Sequence, residues 1–90
     1  MQRDQAETLA LRALTYIAQD EDRMGRFMAL SGLGPDDLRG RIGDPGFLGG
    51  VLDHLLGYEP DLLAFAEEAE IDPAIVARAR ATLPGANPDW

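Results

Sequence analysis

The sequence has 90 residues, which suits one domain with a single modest core and excludes an enzyme with a separate substrate domain. It contains no cysteine, so disulfides and thiolate chemistry are excluded. The net charge of −8 is unevenly spread, because residues 45–90 carry eight acidic side chains against two arginines. A surface of this kind repels nucleic acid and anionic lipid.

Membrane attachment and secretion are not expected from the hydropathy of the chain. No apolar run approaches the roughly 18 residues of a membrane span. Residues 1–7 lack the basic-then-apolar pattern of a secretion signal. We therefore expect a cytoplasmic protein that makes no use of a membrane.

The first half of the chain predicts three helices. Residues 4–19 carry apolar side chains at helical spacing on one face. Asp20 is a suitable N-cap for a second helix, which Gly32 ends. Pro35 suits the first position of a short third helix, which ends at Gly43.

The fourth predicted helix, over residues 44–58, is the one around which the core is expected to form. Asp44 and Pro45 are a strong helix start signal. Its apolar residues all fall on one half of a helical wheel: Phe47, Leu48, Val51, Leu52, Leu55 and Leu56. Three glycines weaken the helix, which predicts a neighbouring helix lying close against the bare backbone: Gly46, Gly49 and Gly50.

Two more helices are predicted, one opened by Glu59 and Pro60 and the other by Pro73 after Asp72. Arg78 and Arg80 are expected to point outward. No segment has the alternation of a strand, so we predict an all-α fold of five to six short helices in one compact domain over residues 4–84, with a tail at 85–90. The predicted core is Leu9, Leu14, Ile17, Met24, Phe27, Leu38, Phe47, Val51, Leu52, Leu55, Leu62, Phe65, Ile71 and Val76.

A faint internal repeat relates residues 9–43, the first half, to residues 47–81, the second half. A shift of 38 residues places apolar and helix-start positions of one half on those of the other, for example Phe27 on Phe65 and Pro35 on Pro73. Gene duplication into two related three-helix halves explains this pattern. The alternative is that two amphipathic helical stretches align this well without common origin.

Five stretches of the sequence together carry a family resemblance. They are AETLALRAL at 6–14, LSGL at 30–33, PDDLR at 35–39, GDPGFL at 43–48 and VLDHLL at 51–56. In this combination the chain resembles the small bacterial proteins grouped as domain of unknown function 3572, from about Ala6 to Pro84. The resemblance implies a short helical protein without an assigned activity, and it supplies no catalytic or binding residues.

Catalysis, a metal ion and a cofactor are not expected. His54 is the only histidine, at the border of the apolar face of the fourth helix, and no cysteine or second histidine accompanies it. A histidine making one hydrogen bond is the favoured interpretation. Without a nucleophile, a base and an orienting group, the sequence predicts a protein that is not an enzyme.

Residues 63–80 have the outline of a helix-turn-helix, which makes DNA binding the alternative function. Arg78 and Arg80 on its second helix are the candidate contacts to nucleic acid. The turn position that usually holds glycine is Glu70, and the surrounding residues are acidic, so repulsion of phosphate counts against this alternative. A plain packing corner is the favoured interpretation.

The favoured function is a non-enzymatic protein-interaction or adaptor module with an unknown protein partner. Glu67, Glu68 and Glu70 form an acidic run that could contact a basic partner, although such a run is more often a solvated face. Trp90 could insert into a partner groove, fold back on its own domain or hang free. Self-association is a third interpretation, since a thin core with glycines leaves apolar surface.

Overall fold

The computed structural model describes residues 1–85, which form six α-helices and no strand. They are α1 (Arg3–Ala18), α2 (Glu21–Ser31), α3 (Pro35–Arg41), α4 (Pro45–Leu56), α5 (Glu59–Ala69) and α6 (Pro73–Thr82). The predicted all-α fold in one domain is confirmed. The tail beyond Gly85, with Trp90, lies outside the described residues. In the part of the chain that is described, no helix is both long and apolar enough to cross a membrane.

Three helices begin at an aspartate whose carboxylate accepts a hydrogen bond from the backbone N–H two residues further on. The distances are 2.8 Å at Asp20, 2.9 Å at Asp44 and 2.9 Å at Asp72. Proline occupies the first turn of α3, α4, α5 and α6, where its missing N–H costs nothing. The helix starts are therefore determined by neighbouring residues in the sequence, which is why they could be predicted from it.

The helices recur along the chain with the 38-residue spacing. α2 and α5 begin at residues 21 and 59 and both have 11 residues. Each ends in a left-handed residue, Gly32 with φ 74° and Glu70 with φ 58°. Glycine adopts this conformation freely, whereas Glu70 is the one non-glycine residue with positive φ among those described.

The core forms where α1, α4 and α6 pack against one another, with α2 against α1 and α5 against α4 and α6. Small side chains on α1 are fully buried at Ala6, Ala10 and Ala13, which allows its neighbours to approach closely. Nine predicted core residues are buried, and the other five pack against them partly exposed. The prediction omitted three large buried residues: Tyr16, Leu48 and Leu83.

Two aromatic contacts tie the halves together in equivalent ways. The ring of Tyr16 on α1 lies 5.6 Å from that of Phe65 on α5, and the ring of Phe27 on α2 lies 5.1 Å from that of His54 on α4. The 38-residue shift converts one pair into the other. The halves thus exchange equivalent aromatic contacts, one between α1 and α5 and one between α2 and α4.

The third helix of each half departs from this relation. α6 packs against α1, α4 and α5, whereas α3 has no contact of comparable extent with any helix within residues 1–85. Only Leu38 of α3 is buried in the described structure, while α6 buries Val76, Ala79 and Arg80. The first half is therefore more open than the second.

Candidate functional site

Arg80 is buried, so the prediction that it points outward is wrong. Its side chain is 8% exposed; Nε donates to Oδ1 of Asp53 at 2.7 Å, and Nη1 donates to the carbonyl oxygen of Pro84 at 3.0 Å. An arginine that is buried with a carboxylate and a carbonyl satisfies several donors of its planar guanidinium. This arrangement fastens α6 to α4 and holds the chain that follows α6, which explains why Leu83 is buried.

Gly49 is what makes room for this guanidinium. A Cβ at this position would lie 2.5 Å from Nη1 of Arg80 and 3.2 Å from the carbonyl oxygen of Pro84. The predicted close neighbour exists at this glycine, but it is the Arg80 side chain and the segment beyond α6 rather than a neighbouring helix. Gly50 has nothing within 4 Å of such an atom, and Gly46 meets only the side chain of Asp44.

The burial of Arg80 removes one of the two proposed nucleic-acid contacts. Of the two arginines on α6, only Arg78 is exposed. Glu67, Glu68 and Glu70 are all exposed, at the end of α5 and at its C-cap. At the α5–α6 corner Arg78 and Arg12 of α1, which donates to the carbonyl oxygen of Ala69 at 3.5 Å, are outnumbered by the three carboxylates, so the surface repels phosphate on balance.

His54 is half-buried on α4, beside Phe27 of α2. Its ring meets Phe27 edge-on, and its Nε2 is buried with no hydrogen-bond partner among residues 1–85, so this atom does not form the predicted hydrogen bond. Burial lowers the pKa of His54, and the charge of Arg26 lowers it further while Asp61 opposes the change. Arg26 pairs with Asp61 and lies over the ring of Tyr58 at 4.4 Å. This is a packed histidine in a structural polar cluster.

Tyr16, at the equivalent position of α1, is also held by an arginine from α2. Nη1 of Arg23 donates to the Tyr16 hydroxyl at 3.0 Å, and its guanidinium lies 3.9 Å from the ring centre. Burial raises the pKa of Tyr16, which the nearby Arg23 partly offsets. Across the described residues, no group of three or more acidic or histidine side chains is placed to hold a metal ion.

A cleft of about 510 Å³ lies between α1, α2 and α3, and we name it the α1–α3 cleft. Ile42, just after α3, lines it and is 42% exposed. Of its lining residues only Arg39 is charged. The lining is Leu14, Thr15, Ala18, Met24, Met28, Pro35, Leu38, Arg39 and Ile42.

The internal repeat explains why this cleft is open. The 38-residue shift places Ile42 on Arg80 and Thr15 on Asp53. In the second half these two positions form the ion pair that draws α6 onto α4. In the first half isoleucine and threonine cannot form such a pair, and α3 stands away from α1. The sequence contains this difference between the halves. It can be interpreted only when the burial of Arg80 is known.

Residues 3–86 match the model of a family described as "Protein of unknown function (DUF3572)". No curated protein and no solved structure matches the chain. Because the match spans nearly all of the sequence, the chain belongs to the DUF3572 family, whose function is unknown.

Proposed function

We propose that this protein is a non-enzymatic protein-interaction module that binds its partner in the α1–α3 cleft. The observation that carries the proposal is the apolar lining of an open cleft in a chain with a net charge of −8. A concave, mostly apolar cleft of this volume is typical of binding sites. A partner that covers Ile42 and its neighbours removes that surface from water.

The side chains that line the cleft support a protein partner. Met24 and Met28 lie one helical turn apart on α2 and both face it. Methionine is unbranched and polarizable, so it adapts to the shape of an incoming side chain and is common at surfaces that accept helices. Leu14 and Leu38 add apolar surface to the lining of the cleft.

The acidic run of Glu67, Glu68 and Glu70 is a second candidate contact, for a basic region of the partner. Its three carboxylates are exposed, so a partner can reach them. Exposed charges chiefly affect the rate and specificity of association. Trp90, outside the described residues, remains a candidate anchor.

The test is comparative capture from nuclease-treated native lysate, followed by mass spectrometry. The baits are the intact protein, Ile42→Asp, the triple variant E67Q/E68Q/E70Q, and a form ending at Gly85. We expect one discrete protein to be retained by the intact bait and lost with Ile42→Asp, because a carboxylate in the cleft opposes apolar docking. Circular dichroism of each bait checks that it is folded.

The other baits separate the competing surfaces. A protein lost only with the triple variant places the contact on the acidic run, and one lost only with the shortened form places it on the tail. A partner that Ile42→Asp retains in full contradicts the cleft as the binding site. Nucleic acid retained in an untreated lysate, with no protein retained, contradicts the interaction module itself.

A further inference from the structure

Helix α2 is held to the rest of the described structure mainly by a few side chains. Among residues 1–85 it makes extensive helix contact only with α1. Three buried nitrogens in the same range lack a hydrogen-bond partner: Nε of Arg23, Nε of Arg26 and Nε2 of His54. Two of these belong to α2, and the His54 ring meets Phe27 of α2 edge-on. Buried polar atoms without partners cost free energy, which offsets part of the stability gained when α2 packs.

We propose that His54 is a pH-sensitive switch: when its ring takes up a proton, α2 separates from α4. In the neutral ring one nitrogen carries no proton and needs no acceptor. The imidazolium carries a proton on both nitrogens, so Nε2 becomes a buried, charged donor without an acceptor. An unpaired buried charge costs more than an unpaired neutral group. Separation of α2 exposes the ring to water and removes this cost.

The surroundings of His54 favour the neutral ring. Burial has the largest effect and lowers the pKa of His54; Arg26 of α2 lowers it further, and Asp61 of α5 opposes the change. The Asp61 carboxylate is already paired with Arg26, which offsets its attraction for a second cation. On α4 itself, the neighbouring Asp53 is paired with Arg80. The protonated ring therefore lacks a carboxylate of its own.

Helix α2 is the element that yields, because α4 is held more firmly. α4 packs against α1, α5 and α6. α2 buries only Phe27. Separating α2 therefore costs less than displacing α4. Met24 and Met28 lie on α2, so its separation also alters one wall of the α1–α3 cleft.

Proton NMR of the full-length protein tests the first step. The chain contains one histidine, so the ring signals belong to His54. Histidine is also the one side chain type whose ordinary pKa lies between pH 5 and 8. We expect the ring to titrate with a midpoint below 6.5, the ordinary pKa of histidine.

Amide hydrogen exchange, measured by mass spectrometry on the same protein, tests whether α2 separates. The ratio of exchange in α2 to exchange in α6 cancels the intrinsic effect of pH on the amides. We expect this ratio to rise about threefold from pH 7 to pH 5.5. His54→Gln and His54→Phe stay neutral throughout this range and should show no rise. Two variants keep the test decisive if one of them does not fold.

Each result supports or overturns the switch, independently of what binds in the cleft. A rise in the ratio that occurs only in the protein with His54 supports it. A ring midpoint at or above 6.5 overturns it, since the folded protein would then not disfavour the protonated ring. An unchanged ratio while the ring titrates overturns it as well. An equal rise in the variants assigns the pH effect to other groups and also overturns it.

Discussion

Helices α3 and α6 begin alike and end differently. Both start with proline, at positions 35 and 73, and both bury an apolar residue at the equivalent place, Leu38 or Val76. α6 is then fastened to α4 through Arg80 and Asp53, whereas α3 ends at Arg41, and Ile42 after it lies beside an open cleft. The closed half thus contains an ion pair that the open half lacks, and α6 also buries more side chains than α3.

Other contacts support this comparison, because they occur in equivalent places in both halves. The rings of Tyr16 and Phe65 and those of His54 and Phe27 are equivalent contacts across the halves. The left-handed C-caps of α2 and α5 are equivalent as well. The duplication of an ancestral half stays a prediction. Substitutions that affect the two halves unequally test the physical reason for their difference.

The largest effect is expected for Arg80→Ala. It leaves the Asp53 carboxylate and the Pro84 carbonyl without their donor and opens a space beside Gly49. We expect a loss of about 2–3 kcal/mol in the free energy of unfolding, measured by urea denaturation. The equivalent change Ile42→Ala should cost less than about 1 kcal/mol, since this side chain is 42% exposed.

Arg80→Lys sharpens this prediction. A lysine has a point charge in place of the planar guanidinium, so it cannot donate at once to Asp53 and to the carbonyl oxygens of Leu83 and Pro84, all of which accept from Arg80. It should recover less than half of the stability that Arg80→Ala loses. A lysine variant as stable as the original protein contradicts the role assigned to the guanidinium.

The next largest effect on stability is expected at two adjacent glycines of α4. Gly49→Ala places a methyl group 2.5 Å from Arg80 Nη1, which forces the guanidinium away and should cost about 1–3 kcal/mol. Gly50→Ala meets nothing within 4 Å and should instead stabilise the protein by up to about 1 kcal/mol. We expect the two variants to shift the midpoint temperature of thermal unfolding in opposite directions. The same sign for both contradicts the close packing at Gly49.

A smaller effect is expected at the equivalent left-handed ends of α2 and α5. Glu70→Gly removes the strain of a positive φ and should stabilise the protein by about 0.5–1 kcal/mol, and Gly32→Ala should destabilise it by a similar amount. Urea midpoints measure both. A neutral result at Glu70 would mean that its backbone is not strained.

The smallest effect concerns pH. Because burial and Arg26 lower the pKa of His54 in the folded state, the folded protein binds its proton less readily than the unfolded chain. Stability contributed by neutral His54 is present above 6.5, the ordinary pKa of histidine in an unfolded chain, and is lost as the pH falls below it. His54→Phe, which keeps a ring against Phe27, should flatten the change in urea midpoint between pH 7 and 5.5. An equal change in both proteins contradicts the assignment.

The sequence predicted the helices well because their limits are encoded locally. Asp44 with Pro45 and Asp72 with Pro73 set helix starts within two residues, and periodicity identified most of the core. The role of Arg80 could not be predicted, since it depends on Gly49 and Asp53, 31 and 27 positions away, and a charged residue near a helix end normally faces solvent.

The cleft was missed for a related reason. Its lining residues come from three helices, and Leu14, Met24 and Leu38 were each expected in the core. Leu38 is buried, while Leu14 and Met24 are only partly so, because α3 does not close over them. Periodicity identifies the apolar face of a helix but does not report whether another helix covers it. That information lies in the tertiary packing.

The most direct test of the account is amide hydrogen exchange measured by mass spectrometry on the intact protein. Amides in peptides covering α3 should exchange faster than those covering α6, because only α6 is held by buried contacts on several helices. Exchange in α3 that is as slow as in α6 would contradict the contrast between a closed and an open half.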